Sequence, residues 1–256
     1  MHNFVYATAA VTRAEVHKLM RDPMELFSRA VQPVLWLAVF GEVFSKVRGI
    51  PTGAISYLDF MAPGILAQSI LFSAIFYGIA IIWERDLGIV HKLLVSPAPR
   101  SALVLGKALA SGLRGLVQAV VVYLVALFLH VGIRWDPVAM LIVAAAVFLG
   151  SCIFSMFSLV IACVVKTRER FMGIGQVLTM PLFFASNAIY PIELMPAWLK
   201  AIALVNPLTY LVDALRGSMI LGGHAVYALA TSFGVMVAVF VVFLAMAARL
   251  YPGLVR

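Results

Sequence analysis

Charge is scarce in this chain: Asp, Glu, Lys and Arg together make up 12% of its 256 residues, against 64% hydrophobic ones. So few charges exclude an ordinary soluble domain, whose apolar fraction lies near half. Cysteine is almost absent. Cys152 and Cys163 fall in one apolar run, about 16 Å apart if helical, which is too far for a disulfide between them. No HExxH, no GxSxG and no paired cysteine motif occurs, and His2, His17, His91, His130 and His224 are scattered, so neither a metal centre nor an intramembrane protease or esterase is indicated. The stretch SALVLGKALA has Ser101 where a phosphate-binding loop needs glycine, and Ala108 follows Lys107. The chain therefore binds no nucleotide by that route.

What is present is long uncharged runs. A helix needs about 20 apolar residues to cross roughly 30 Å of hydrocarbon. Residues 60–83, 137–165, 171–192 and 225–248 contain no Asp, Glu, Lys or Arg, Gly115 to Ile133 is another such run, and a further one from Ala30 is interrupted by Glu42 and ends by Lys46. These runs have helical length and lack the short alternating segments of a barrel, so the fold class is an all-α membrane bundle. The charged start, without a small-residue cleavage site, predicts that the first apolar run is kept as a span.

Basic residues set the orientation. With the N-terminal segment cytoplasmic, Arg13, Lys18, Arg21, Arg29, Arg85, Lys92, Arg100, Lys107, Lys166, Arg168, Arg170, Arg249 and Arg256 fall on that side. Lys46, Arg48, Arg134, Lys200 and Arg216 fall on the other. This asymmetry predicts six spans with both ends cytoplasmic. A formal charge of +8 is then accounted for by an anionic leaflet, with no nucleic acid partner.

The expected order is an amphipathic interface helix over 11–29, spans over 30–46 and 58–83, a charged cytoplasmic helix over 84–100, spans over 103–131, 137–165 and 170–190, outer helices over 191–221, and a last span over 225–249, all one transmembrane unit. In the interface helix Val16, Leu19, Met20 and Phe27 form the apolar face, with Arg13, Lys18 and Arg21 among its polar positions. Asp22, Pro23 and Glu25 signal a new helix start. Lys107, Ser111, Arg114 and Gln118 recur at i, i+4, i+7 and i+11, a polar stripe that should face the bundle interior or water. Ser151, Ser155, Ser158 and Ala162 form a small-residue packing face. Pro181 interrupts the fifth span, where Gln176, Thr179, Phe183, Asn187 and Tyr190 are expected on one broad face suited to an amphipathic passenger or to bonding neighbouring helices.

The island WERDLGIVHKLLVSPAPR joins two spans with five charges, and Ile89, Val90, Leu93 and Leu94 give it an aliphatic face that seeks a partner or the membrane surface. Together with QPVLWLAVFGEVF before it and YPIELMPAWLKAIALVNPLTYLVDALRG after it, this layout resembles the membrane subunit of ABC type-2 exporters, the branch with drug-resistance and nodulation-factor permeases in particular. The resemblance implies that the island is the helix that docks on a separate ATPase, with Glu84, Arg85, Asp86, Gly88, His91 and Lys92 as its coupling residues. It implies two permease copies, or this chain with a close homologue, over two ATPase subunits in a bacterial inner membrane. ATP and magnesium would be held by the ATPase and no cofactor by this chain. The implied translocation path takes Gln68, Ser73, Tyr77, Arg114, Gln118, Gln176, Thr179, Phe183 and Asn187. The implied outer gate takes Tyr190, Pro191, Pro196, Trp198, Asn206 and Pro207. The cargo class implied is an amphipathic small molecule, drug or glycolipid, with polysaccharide as the alternative. An ion-coupled transporter would instead need carboxylates deep in its spans and two similar halves, and neither is apparent.

Overall fold

Backbone groups in hydrocarbon must be satisfied within the segment, which leaves helices as the means of crossing for runs of this length. The computed structural model describes residues 2–21, 31–45, 55–165 and 167–255, and they are helical almost throughout. In chain order they are α1 (His2–Arg21), α2 (31–45, π-helical across Trp36–Gly41), α3 (Tyr57–Asp86), α4 (Ile89–Val95), α5 (Arg100–Phe128), α6 (Pro137–Val164), α7 (Arg168–Phe184), α8 (Ala197–Val205), α9 (Pro207–Met219) and α10 (Leu229–Leu250).

Four of the described helices, α3, α5, α6 and α10, are long and apolar enough to cross a membrane, and α8 with α9 form a fifth apolar unit bent by 82°. The bend falls at Asn206–Pro207. Pro207 cannot continue α8, and the Asn206 side chain caps α9 by accepting from the Leu208 amide at 3.0 Å. The two short outer helices expected over 191–221 are therefore present as a bent, re-entrant-like pair. The protein is an all-α, multi-span membrane protein.

α6 is the centre of the bundle, packed against α3, α5, α9 and α10. Ser151, Ser155, Ser158 and Ala162 are all buried, as their spacing predicts. Close approach is built on glycine: a Cβ on Gly115 would stand 1.8 Å from Ser151 Oγ, and one on Gly78 would stand 2.2 Å from Ser158 Oγ. Aromatic contacts run from α2 to α3 through Trp36, Phe40, Phe44, Tyr57 and Phe60.

Three expectations change. The first helix starts at His2 rather than near residue 11, and it is turned over: Thr8, Glu15 and Leu19 are buried against α5 while Met20 is exposed. Polar contacts with α5 accompany this orientation: the Thr8 and Thr12 hydroxyls, each bonded to a carbonyl of its own helix at 2.9 Å, share their protons with the Ala102 and Gly106 carbonyls of α5 at 3.4 and 3.1 Å, and Glu15 pairs with Lys107. The start signal at Asp22 to Glu25 lies outside the described residues. The island is not one helix from residue 84, because α3 runs on through Asp86 and Gly88, at φ +72°, separates it from the seven-residue α4. In α7, Gln176 is exposed while Phe171, Gly175, Thr179 and Phe183 form the buried stripe. The helix ends at Phe184, so Asn187 and Tyr190 follow in a turn rather than on the same face.

Candidate functional site

At one end of the bundle, four charged side chains from three helices meet. Lys107 of α5 is 1% exposed and donates from Nζ to Glu15 Oε1 of α1 at 2.9 Å and to Glu84 Oε2 of α3 at 2.6 Å. Lys18, half-exposed on α1, reaches back to both carboxylates, 3.3 Å from Glu15 Oε1 and in short contact with Glu84 Oε1. Two ammonium groups and two carboxylates thus alternate, and each buried charge has opposite neighbours, the condition under which burial of charge is tolerated. Tyr77 of α3 lies between Lys107 and Arg114, with ring centroid distances of 5.8 and 5.6 Å, and its hydroxyl donates to the Lys107 carbonyl at 3.4 Å. The polar stripe of α5 therefore faces the bundle interior, as its spacing predicts: Lys107, Ser111, Arg114 and Gln118 are all buried.

Glu15 lies outside the spans. Burial pushes its carboxyl up, but the Lys107 and Lys18 ammonium groups outweigh this and hold it below the usual carboxylate range. A carboxyl depressed on folding adds stability that is full above its unfolded value and is lost as pH falls through its folded value. We predict that α1 keeps its protection from hydrogen–deuterium exchange from neutral pH down to the ordinary carboxylate range, and loses it only below that range. Loss of protection already between pH 7 and 5 would contradict this pairing.

The same last turn of α3 carries the coupling candidates. Glu84 is turned inward to Lys107 and is unavailable as an exposed docking charge, a correction to the expected island rim. Arg85 pairs with Asp86 at 2.8 Å, and Arg168, at the start of α7, holds Asp86 Oδ2 at 2.7 Å while its guanidinium stacks 4.4 Å above Trp83. Gly88 ends α3 in the left-handed region, which costs other residues about 1–2 kcal/mol. Beyond it, Val90 is fully buried and Leu93 and Leu94 are partly so, whereas Ile89 is exposed, so the predicted four-residue apolar face is split. His91 and Lys92 are exposed beside Leu87, 69% exposed, and Val95, 74% exposed. This is a small apolar knob with a basic edge.

Of the interface residues, Arg13 and Arg21 are exposed and Lys18 joins the cluster. The path candidates Gln68, Tyr77, Arg114, Gln118, Thr179, Phe183 and Asn187 are buried within the single chain, Ser73 is half-buried and Gln176 is exposed.

At the opposite end, the turn after α7 is held by several elements. Asn206 Nδ2 donates to the Leu182 and Ala185 carbonyls at 2.7 and 3.0 Å, and Tyr190 donates to the Phe184 carbonyl. Arg216 of α9 donates to the Phe60 and Asn187 carbonyls at 3.3 and 2.6 Å and stacks 3.8 Å over the Phe60 ring. Asp213 accepts the Val226 and Tyr227 amides at 2.7 and 2.9 Å. Among the gate candidates, Pro191 and Pro196 precede short helical turns, Pro207 opens α9, and Trp198 is 66% exposed.

Glu15, Arg168, Asp213 and Arg216 belong to these sites and are absent from the sequence-based candidates. Glu15 and Arg168 meet partners far along the chain, 92 residues from Glu15 to Lys107 and 82 from Asp86 to Arg168, whereas Asp213 bonds amides 13 and 14 residues on.

Residues 6–220 match the family described as ABC-2 type transporter. The chain is 33% identical to a protein named as transport permease ycf38 from Cyanophora paradoxa, over 78% of this chain and 69% of that protein. It is 27% identical to the daunorubicin resistance ABC transporter permease protein DrrB1 of Streptomyces coeruleorubidus, over 77% and 69% of the two chains. It is 25% identical to a protein named as doxorubicin resistance ABC transporter permease protein DrrC from Mycobacterium tuberculosis, over 84% and 77%.

Proposed function

The chain belongs to the ABC-2 type transporter family and is the membrane permease subunit of an ABC exporter, pairing with a separate ATPase subunit, and from that premise we propose how its parts divide the work. The knob at Leu87–Val95 docks in a groove of the ATPase subunit. Motion received there passes through the last turn of α3 into the buried Glu84–Lys107–Glu15 cluster, so that α1, α3 and α5 move together. The observation that carries this reading is the double position of that turn, which bears the exposed knob on one side and the ion-paired Glu84 on the other.

In this reading α2 and α7 join α3, α5, α6 and α10 as six spans, with both ends of the unit cytoplasmic in a bacterial inner membrane. Two copies face each other over two ATPase subunits. The exposed edge where α3 meets α7, including Phe76, Gln176 and Phe184, lines the path, and the α8–α9 pair with the turn after α7 closes it on the outer side. Aromatic groups beside an amide suit an amphipathic small molecule, in keeping with the anthracycline names of two relatives.

Combining Leu87→Asp with Lys92→Glu puts a charge in the apolar contact and reverses the basic edge. We predict at least a tenfold loss of affinity for the ATPase subunit, measured by titration against the solubilised chain. Affinity equal to that of the native chain would refute docking at the knob.

A further inference from the structure

The turn Tyr251–Val255 continues α10 directly and packs against α4 and α6. α10 itself is mostly turned outward: among its 22 residues only Ser232, Met236 and Ala247 are buried. The turn behaves differently. Tyr251 is fully buried and Leu254 is 5% exposed, and both share a hydrophobic cluster with Val90, Leu103, Val104 and Phe171. α4, by contrast, has seven residues and a single fully buried side chain, Val90. Helices shorter than about 12 residues are marginal alone, so α4 depends on what it packs against. α4 leaves α3 through the left-handed Gly88 turn, whose amide donates to the Arg85 carbonyl at 2.9 Å, and beyond that turn its seat is this cluster, which Val90, Leu93 and Leu94 join. The Tyr251 amide donates to the Ala247 carbonyl and so ties the turn to α10, whereas its hydroxyl has no hydrogen-bond partner among the described residues and its ring is held in the cluster by packing.

We propose that the turn Tyr251–Val255 is the platform that holds α4 in its docking position, with Tyr251 and Leu254 as positioning residues for engagement of the ATPase subunit. The inference rests on α4 being part of the docking knob. It adds a second mechanical connection: displacement of α4 reaches α10 through this turn, in parallel with the path through Glu84 and Lys107. It also makes the knob a composite of segments more than 150 residues apart in sequence.

The test is affinity of the full-length, solubilised chain for its ATPase subunit. Leu254→Asp places a carboxylate in the apolar seat of Val90 and is expected to lower affinity at least tenfold. Leu254→Met, which keeps volume and polarity, and Tyr251→Phe, which removes only the unbonded hydroxyl, should stay within twofold of native. Should Leu254→Asp fail to accumulate in the membrane, Leu254→Ala decides, with an expected loss of at least threefold in the folded fraction. Native affinity for that folded fraction, alongside a lowered melting temperature, would assign the turn a merely structural role and overturn the proposal. Loss with Leu87→Asp/Lys92→Glu but not with the Leu254 variants would overturn the platform while leaving the docking knob in place. Native affinity in both sets would remove the docking assignment itself.

Discussion

Lys107→Met is expected to destabilise the bundle by about 3–5 kcal/mol, the cost of leaving buried charge without its partner. Lys107 is the buried cation between Glu15 and Glu84, whose side chains are themselves only 8% and 11% exposed. Without it they face each other with, among the described residues, only the half-exposed Lys18 between them. The repulsion is relieved by separating α1 from α3, so the first visible change should be release of α1, followed by loss of heat stability in detergent. Making all three positions neutral, with Glu15→Gln, Lys107→Met and Glu84→Gln, removes the uncompensated charge and should recover most of the lost stability. It should not recover ATP-driven transport, because the joint that moves α1, α3 and α5 as one body has gone. A single Lys107→Met variant within about 1 kcal/mol of native would show that the cluster carries no such load.

Arg216→Met is the second large effect and acts at the opposite end. The guanidinium is 4% exposed, donates to two backbone carbonyls from different segments, and stacks on Phe60. Hydrogen bonds to a charged group contribute about 1.5–3 kcal/mol each, and methionine replaces none of them. A loss of about 3 kcal/mol is expected, concentrated in the turn after α7 that Arg216 ties to α3. A cysteine at Asn187, fully buried in the native chain, should be shielded from a water-soluble thiol reagent and become reactive when combined with Arg216→Met. Continued protection would mean that Asn206, with its two bonds to Leu182 and Ala185, holds the turn without help.

The elements that were legible in the sequence share one property: their signal is local. Four of the six apolar runs gave helices long enough to cross, Pro207 after Asn206 gave the broken pair, and the i, i+4, i+7 spacing from Lys107 gave the inward stripe of α5. Where the reading failed, a distant partner decided. Val16 and Met20 looked like a membrane face of α1, yet the ion pair of Glu15 with Lys107, with the shared contacts of Thr8 and Thr12 to α5 carbonyls, turns Glu15 inward and leaves Met20 exposed. Glu84 looked like part of an exposed charged rim, and Lys107, 23 residues on, draws it into the bundle. Thr179 and Gln176 looked like neighbours on one face, but the Phe171–Gly175–Thr179–Phe183 stripe packs inward and leaves Gln176 outside. A helical spacing identifies which residues can share a face; it does not say which neighbour that face will meet.

ATP-driven export of a fluorescent amphipathic drug from sealed vesicles is the most direct measurement of the central claim, made with the native chain and the Leu87→Asp/Lys92→Glu chain, each with and without the ATPase subunit. The expected result is export by the native chain only when ATPase subunit and ATP are both present, and none by the knob variant at an ATPase concentration that saturates the native chain. Export by the native chain alone, or undiminished export by the knob variant, would contradict it.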